Sequence, residues 1–339
     1  MRIGILTSGG DCPGINATIR GVGKTAMVAH GMEVLGFHKG FSGIPAGSYE
    51  VLNMDKLSGI LHLGGTILGT SREGHIGKAL LQDEAFANEF CEAYHRLGLD
   101  AIVAIGGNGT MKTAKIVSDL GLNVVAIPKT IDNDVWGTDV TFGFDTAVSI
   151  ATEAIDRLHS TAASHNRVMV VEVMGHHAGW IALHAGMAGA ADVILLPELG
   201  FDIEVIKKDI VERAKAGKQH SIIVVAEGIE INGKKRPGHR LSKILSEETF
   251  LECRETVLGY VQRGGAPSAT DRNLGTRMGG HAAQLISQGI FGVMVRMQGG
   301  ALGHIPLSQV AGRLKVVEPD NELIIQGRRM GISFGLPRE

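Results

Sequence analysis

The chain has 339 residues, with 33 Lys and Arg against 35 Asp and Glu, for a net charge of −2. That length suits two domains, and a near-neutral balance without a basic block offers no footprint for nucleic acid. No apolar run approaches the about 20 residues of a membrane span, so no membrane partner is expected.

Arg2 and a strand-like run follow Met1 at once, so no signal peptide is expected. Cys12, Cys91 and Cys253 are scattered, form no metal spacing and suit a cytoplasmic protein. In chain order, residues 2–6 read as a strand that enters Thr7-Ser8-Gly9-Gly10-Asp11-Cys12-Pro13-Gly14 and then a helix. A strand is expected at 33–37, and Gly64-Gly65-Thr66-Ile67-Leu68-Gly69-Thr70-Ser71-Arg72 is another glycine-rich piece. The apolar run 100–105 leads through Gly106-Gly107-Asn108-Gly109-Thr110 into a helical stretch at 111–120. The run 122–127 ends in Pro128-Lys129-Thr130-Ile131-Asp132-Asn133-Asp134. Further strands are expected at 168–173, 193–196, 221–225 and 255–258, with helices at 144–162, 179–189 and 202–216. Unbroken Val/Ile runs separated by helices predict parallel sheets covered on both faces, an α/β fold. There is no tandem repeat, and no Pro- or Ser-rich linker divides the chain.

Glycines between a strand and a helix let backbone N–H groups approach a phosphate, and the helix N-terminus favours its charge. One such loop is ordinary βα punctuation; several in one chain are not. Asp132 and Asp134, two residues apart just past a strand end, sit where open α/β sheets place ligand crevices. A base beside a metal ligand fits that pair, while a plain Asx turn is the ordinary alternative.

The ordered set Gly-Gly-Asp-x-Pro-Gly-x-Asn, Gly-Gly-x-Gly-Thr, Thr-Ile-Asp-Asn-Asp, Val-Glu-Val-Met-Gly, Ala-Glu-Gly and Val-Leu-Gly-Tyr-Val-Gln-Arg-Gly-Gly resembles the bacterial-type 6-phosphofructokinases from about residue 2 to 280. The resemblance implies two similar Rossmann-like three-layer α/β/α domains with mostly parallel sheets and the active site in the cleft between them. Residues 1–142 plus 262–310 would form the donor domain, and 143–261 plus 311–339 the fructose 6-phosphate domain. It implies Asp132 as general base, Thr130 on the transferred group, Arg72 bridging the donor phosphates and Asp134 positioning Mg²⁺ or substrate. Gly10, Gly107, Asn108, Gly109, Thr110 and Lys129 would bind the donor, with Phe41 either stacking on adenine or sitting in the core. Fructose 6-phosphate would meet Met174, Gly175, His176, Glu227, Tyr260 and Arg263. Arg167 and Arg254 would reach over from a neighbouring subunit of a homodimer or homotetramer.

The chain departs from the family pattern at several points. Gly109 is the choice of relatives that use ATP, and Lys129 that of relatives that use pyrophosphate. A carboxylate at 109 would crowd and repel a nucleotide α-phosphate, so glycine favours ATP. Asn108 replaces a common Asp ligand of Mg²⁺, which weakens a hard-cation site; Glu73 is a nearby acid. His176 replaces a common Arg and Tyr260 a common His. Arg20, Lys24, Lys218 and His220 match parts of the family's effector site, but His159 and Ala216 lack its charge, so weak or absent allostery is expected. The alternatives are a pyrophosphate-dependent phosphotransferase and a catalytically weak sugar-phosphate-binding or nucleotide-binding regulatory relative.

Overall fold

Unbroken aliphatic runs set the strands, and glycine turns end them. The computed structural model describes residues 1–71, 74–218 and 220–337. In chain order, β1 (Arg2–Thr7) is followed by α1 (Ile15–His30), β2 (Glu33–Phe37), β3 (Tyr49–Leu52), α2 (Gly74–Gln82), α3 (Glu84–Arg96), β4 (Ala101–Gly106), α4 (Asn108–Asp119) and β5 (Val124–Pro128). Next come α5 (Phe144–His165), β6 (Val168–Val173), α6 (Trp180–Ala188), β7 (Val193–Leu195), α7 (Ile203–Lys215), β8 (Ser221–Ala226), α8 (Pro237–Thr249) and β9 (Cys253–Val257). The chain continues through α9 (Ala269–Ser287), β10 (Val293–Gln298), β11 (Ala301–Pro306), α10 (Leu307–Val310) and α11 (Glu322–Arg329). The result is a mixed α/β fold with mostly parallel sheets, as the alternation predicts.

Two compact units are formed. The first comprises Met1–Ile131, Val135–Asp145 and Arg263–Leu314. Its sheet has the order β11-β10-β5-β4-β1-β2-β3, with only the two edge pairs antiparallel. Ala101, Ile102, Val103, Ala104 and Ile105 of β4 are fully buried, as a central parallel strand requires. Each large aliphatic buried this way contributes roughly 1.5–3 kcal/mol. The sheet therefore supplies a rigid base for the polar turns at its carboxyl end. Phe41 is fully buried in this core beside Phe37 and Phe90, so it packs rather than presenting a face for stacking.

The second unit comprises Asp132–Asp134, Thr146–Gln262 and the tail from Lys315. Its sheet runs β7-β8-β6-β9, all parallel. Val170, Val193, Leu195, Ile223, Val225, Leu241 and Leu245 fill its core.

Strands β3, β10 and β11 were not among the strands expected from sequence. β3 and β11 are the edge strands, where the aliphatic run is diluted and more residues meet water, while in β10 Arg296 interrupts an otherwise buried run. At the β10–β11 turn, Gly299 and Gly300 both have positive φ, 57° and 80°, which is the usual chemistry of a two-residue hairpin. The last strand of the second sheet is Cys253–Val257 rather than 255–258, again an edge strand, buried only at Cys253. Helix α4 starts at Asn108, three residues before the stretch that periodicity marks, because Asn, Gly and Thr carry no apolar signal.

Candidate active site

The adjacent parallel strands β1, β4 and β5 end in three polar turns of the first unit. After β4, Gly107 is the N-cap of α4, and Asn108, Gly109 and Thr110 form the helix's first turn. Their backbone N–H groups belong to the orphan donors of a helix start, with the positive end of its dipole behind them. A Cβ on Gly106 would collide with the Thr110 hydroxyl, so the tight exit from β4 demands glycine there. A Cβ on Gly109 would meet nothing within 4 Å.

The turn after β1 is tied to the 64–71 segment. Gly9 N–H donates to the Ser71 carbonyl at 2.9 Å, Thr70 Oγ1 to the Gly9 carbonyl at 2.6 Å, and Thr7 Oγ1 to the Gly69 carbonyl at 2.7 Å. Asn16 Oδ1 accepts from Ile67 N–H at 2.8 Å. Arg72 and Glu73, which follow this segment, lie outside the described residues. After β5, Lys129 is 3% exposed and donates its ammonium to the Gly10 carbonyl, while its N–H bonds the Gly106 carbonyl at 2.9 Å. Thr130 is held through its carbonyl by Thr141 Oγ1 at 2.7 Å. The guanidinium of Arg263 lies beside the Gly10 backbone, 3.0 Å from where a Cβ would stand.

In the second unit, Asn133 has φ 52°, a left-handed turn between Asp132 and Asp134. Asn133 and Asp134 are 4% and 6% exposed. At the carboxyl end of β6, Met174 N–H donates to Gln262 Oε1 at 2.8 Å, and His176 N–H to Glu227 Oε1 at 3.0 Å. Gly175 has φ 149° with the Ala178 carbonyl closing over it. Glu227 follows β8, and its N–H returns to the Val173 carbonyl at 2.9 Å. His176, Glu227, Lys235 and Arg236 line a cleft of about 420 Å³. Tyr260 sits in the 3₁₀ turn Gly259–Arg263 and is 69% exposed. Burial, and then the neighbouring His177, hold the His176 imidazole below its usual range, so it is neutral at pH 7. Burial pushes the Glu172 carboxyl up, against the opposing bond it accepts from Gly238 N–H at 2.9 Å.

Arg167 and Arg254 are not part of this cluster. They lie at the amino end of β6 and β9, where Arg167 pairs with Glu252 at 2.8 Å and Arg254 with the same Glu252 oxygen at 2.7 Å. Six residues of β6 separate Arg167 from Met174, roughly 20 Å of strand. Sequence reasoning missed Glu252, Gln262 and Lys315, which reach the remote partners Arg167, Met174 and Asn133. Among the described residues no three His, Cys, Asp or Glu side chains converge to hold a metal. Asp132 and Asp134 flank the Asn133 turn, and one or two carboxylates are what a Mg²⁺ ion carried mainly by phosphates takes from protein. Among the described residues no helix is long and apolar enough to cross a membrane.

Glycine-rich turns at the carboxyl ends of adjacent parallel strands, one of them opening a helix, make this an α/β protein of the class that receives ligands at its strand ends. The phosphofructokinase family profile matches residues 2–286. The chain belongs to the phosphofructokinase family. The ATP-dependent 6-phosphofructokinase 3 of Bacteroides thetaiotaomicron is 58% identical over 336 residues, covering 99% of this chain and 100% of that protein. The ATP-dependent 6-phosphofructokinase of Spirochaeta thermophila is 50% identical over 354 residues, covering 98% and 97%. Among solved structures, Pichia pastoris phosphofructokinase in the T-state matches with a TM-score of 0.82 at 32% identity. That match covers 91% of this chain and 35% of the yeast chain.

Proposed function

We infer that this chain transfers the terminal phosphoryl group of ATP to the 1-hydroxyl of fructose 6-phosphate, giving fructose 1,6-bisphosphate and ADP. What carries the choice of ATP is the open space over Gly109 in the first turn of α4, together with the ATP-dependent names of the full-length relatives. In this reading the donor phosphates lie along Gly10, Gly107, Asn108, Gly109 and Thr110, with Lys129 holding the Gly10 turn in place and Arg72 bridging the phosphates. Residues 1–142 plus 262–310 serve the donor, and 143–261 plus 311–339 the sugar phosphate.

Asp132 accepts the proton of the 1-hydroxyl as that oxygen attacks phosphorus, and the bond to the ADP oxygen breaks. Thr130 bonds the transferred group. Asp134 and the Asn108 side-chain oxygen would hold Mg²⁺ together with the donor phosphates, and the ion would neutralise charge on those phosphates. Met174, Gly175, His176, Glu227, Tyr260 and Arg263 receive the sugar phosphate. Arg167 and Arg254 complete the site of a neighbouring subunit in a homodimer or homotetramer.

Pyrophosphate is the second candidate donor, because Lys129 is the residue of relatives that use it. The test is a coupled assay for fructose 1,6-bisphosphate with Mg²⁺, run in parallel with ATP and pyrophosphate. Activity with ATP alone is expected. Activity with pyrophosphate alone would overturn the donor assignment. Silence with both, from folded protein that binds the sugar phosphate, would instead mark a binding relative.

A further inference from the structure

Lys315, in a tail where the sequence shows no family motif, bonds the segment between the two aspartates. Its ammonium donates to Asn133 Oδ1 at 2.8 Å, and its backbone N–H donates to the Asp134 carbonyl at 2.9 Å. Its own carbonyl accepts from Trp180 Nε1 at 3.0 Å, and the ammonium stands 5.3 Å from the centre of the same indole. Two residues on, Val317 N–H donates to Glu198 Oε1 at 3.0 Å, and Glu198 also takes Gly179 N–H, at the N-cap of α6, at 2.8 Å. The tail is thus anchored on α6 at one side and holds the Asn133 turn at the other.

We propose that Lys315 is a positioning residue whose ammonium fixes the left-handed turn at Asn133 and, through it, the carboxylate of Asp132. The geometry is specific to that task. A residue at φ 52° leaves the ordinary backbone regions, and the direction of the Cα–Cβ bonds on both sides follows from its dihedrals. Asn tolerates the left-handed region but does not enforce it. With its amide oxygen tied to the ammonium and the next carbonyl tied to the Lys315 amide, the turn has one arrangement. A general base must stand within hydrogen-bond reach of its proton, so a small rotation of this turn acts on the rate of the chemical step. Asp134 stays held by the Lys315 backbone N–H, which a side-chain change does not touch, so substrate affinity is left alone.

The inference rests on Asp132 being the base, and the variants separate the two claims. Lys315→Met keeps the stem and the backbone bonds but removes the ammonium. Asn133→Gly keeps access to positive φ but removes the acceptor. Each is expected to lower kcat by roughly tenfold or more, with KM for both substrates within about twofold of the parent and at most a modest drop in melting temperature, since Lys315 is only half-buried. The double variant is expected to fall no further than the worse single, because both remove one bond. Lys315→Arg is expected to recover part of the loss. An unchanged kcat in Lys315→Met, additive losses in the double variant, or a rise in KM for ATP would overturn the positioning role. If Asp132→Asn retains full activity, the assignment of the base fails, whatever Lys315 does. If Asp132→Asn is inactive and Lys315→Met is not impaired, only the role of Lys315 fails.

Discussion

Arg167 and Met174 stand at opposite ends of one strand. Arg167 immediately precedes β6 and Met174 immediately follows it, so no rotamer of an arginine side chain brings its guanidinium to the Met174 end. Glu252 meanwhile gathers Arg167 and Arg254 at the amino end. If both arginines serve a sugar phosphate, it is the one bound to another copy of the chain. Subunit complementation then follows. An Arg167→Ala/Arg254→Ala double variant and an Asp132→Asn variant should each be nearly inactive alone. Mixed after dissociation and reassociation, they should regain a measurable fraction of parent activity. Absence of recovery in verified hybrids would mean that the arginines do not act across an interface.

Lys129 is buried, and its ammonium closes the turn after β1 onto the end of β5 through Gly10. A hydrogen bond from a charged group contributes about 1.5–3 kcal/mol. Lys129→Met should therefore lower the melting temperature and raise KM for ATP by roughly tenfold, equivalent to about 1.4 kcal/mol. KM for fructose 6-phosphate should barely move. Steady-state kinetics with each substrate varied in turn would check the split.

Gly109→Asp tests the donor assignment without disturbing the fold. A new Cβ there meets no atom within 4 Å, and the position lies in an ordinary helical turn. A like charge facing a phosphate costs several kcal/mol, so ATP-dependent kcat/KM should fall by at least about a hundredfold. The melting temperature should stay near that of the parent. Retained ATP use would show that residue 109 does not face the nucleotide.

Acid should destabilise the second unit through two partly desolvated imidazoles, His176 and His184. Burial, reinforced by His177 for His176 and by Lys315 for His184, holds both rings below their usual range. Below about pH 6.5 the unfolded chain takes up protons that the folded chain refuses, so stability is present above that value and declines as pH falls through it. Melting temperatures between pH 7.5 and about 5.5 should drop, and His184→Gln should flatten the slope. An unchanged slope would assign the acid sensitivity to other groups.

Much of this was legible from residue order. The fully buried strands β4, β5, β6 and β8 are dominated by aliphatic residues, with Glu172 the one charged residue among them, and the glycine turns after β1 and β4 announce themselves. Edge strands were harder, because β3 and β11 mix polar and apolar residues on half-wet surfaces, although the Gly299-Gly300 pair was an available hairpin signal. The supports around the candidate site were not legible at all. Lys315 and Asn133 are 182 positions apart, and a lysine in a charged tail looks like any solvated lysine until the fold brings it to its partner. Glu252 likewise gives no local sign that it will gather Arg167 beside its near neighbour Arg254.

The vacancy over Gly109 has an evolutionary corollary. Glycine and aspartate codons can differ at their second base alone, and here the exchange needs no compensating change in the sheet beneath. A population carrying this gene can thus sample a carboxylate at that position in one mutational step. Selection would then act on which phosphate donor the cell supplies, with the architecture inherited unchanged.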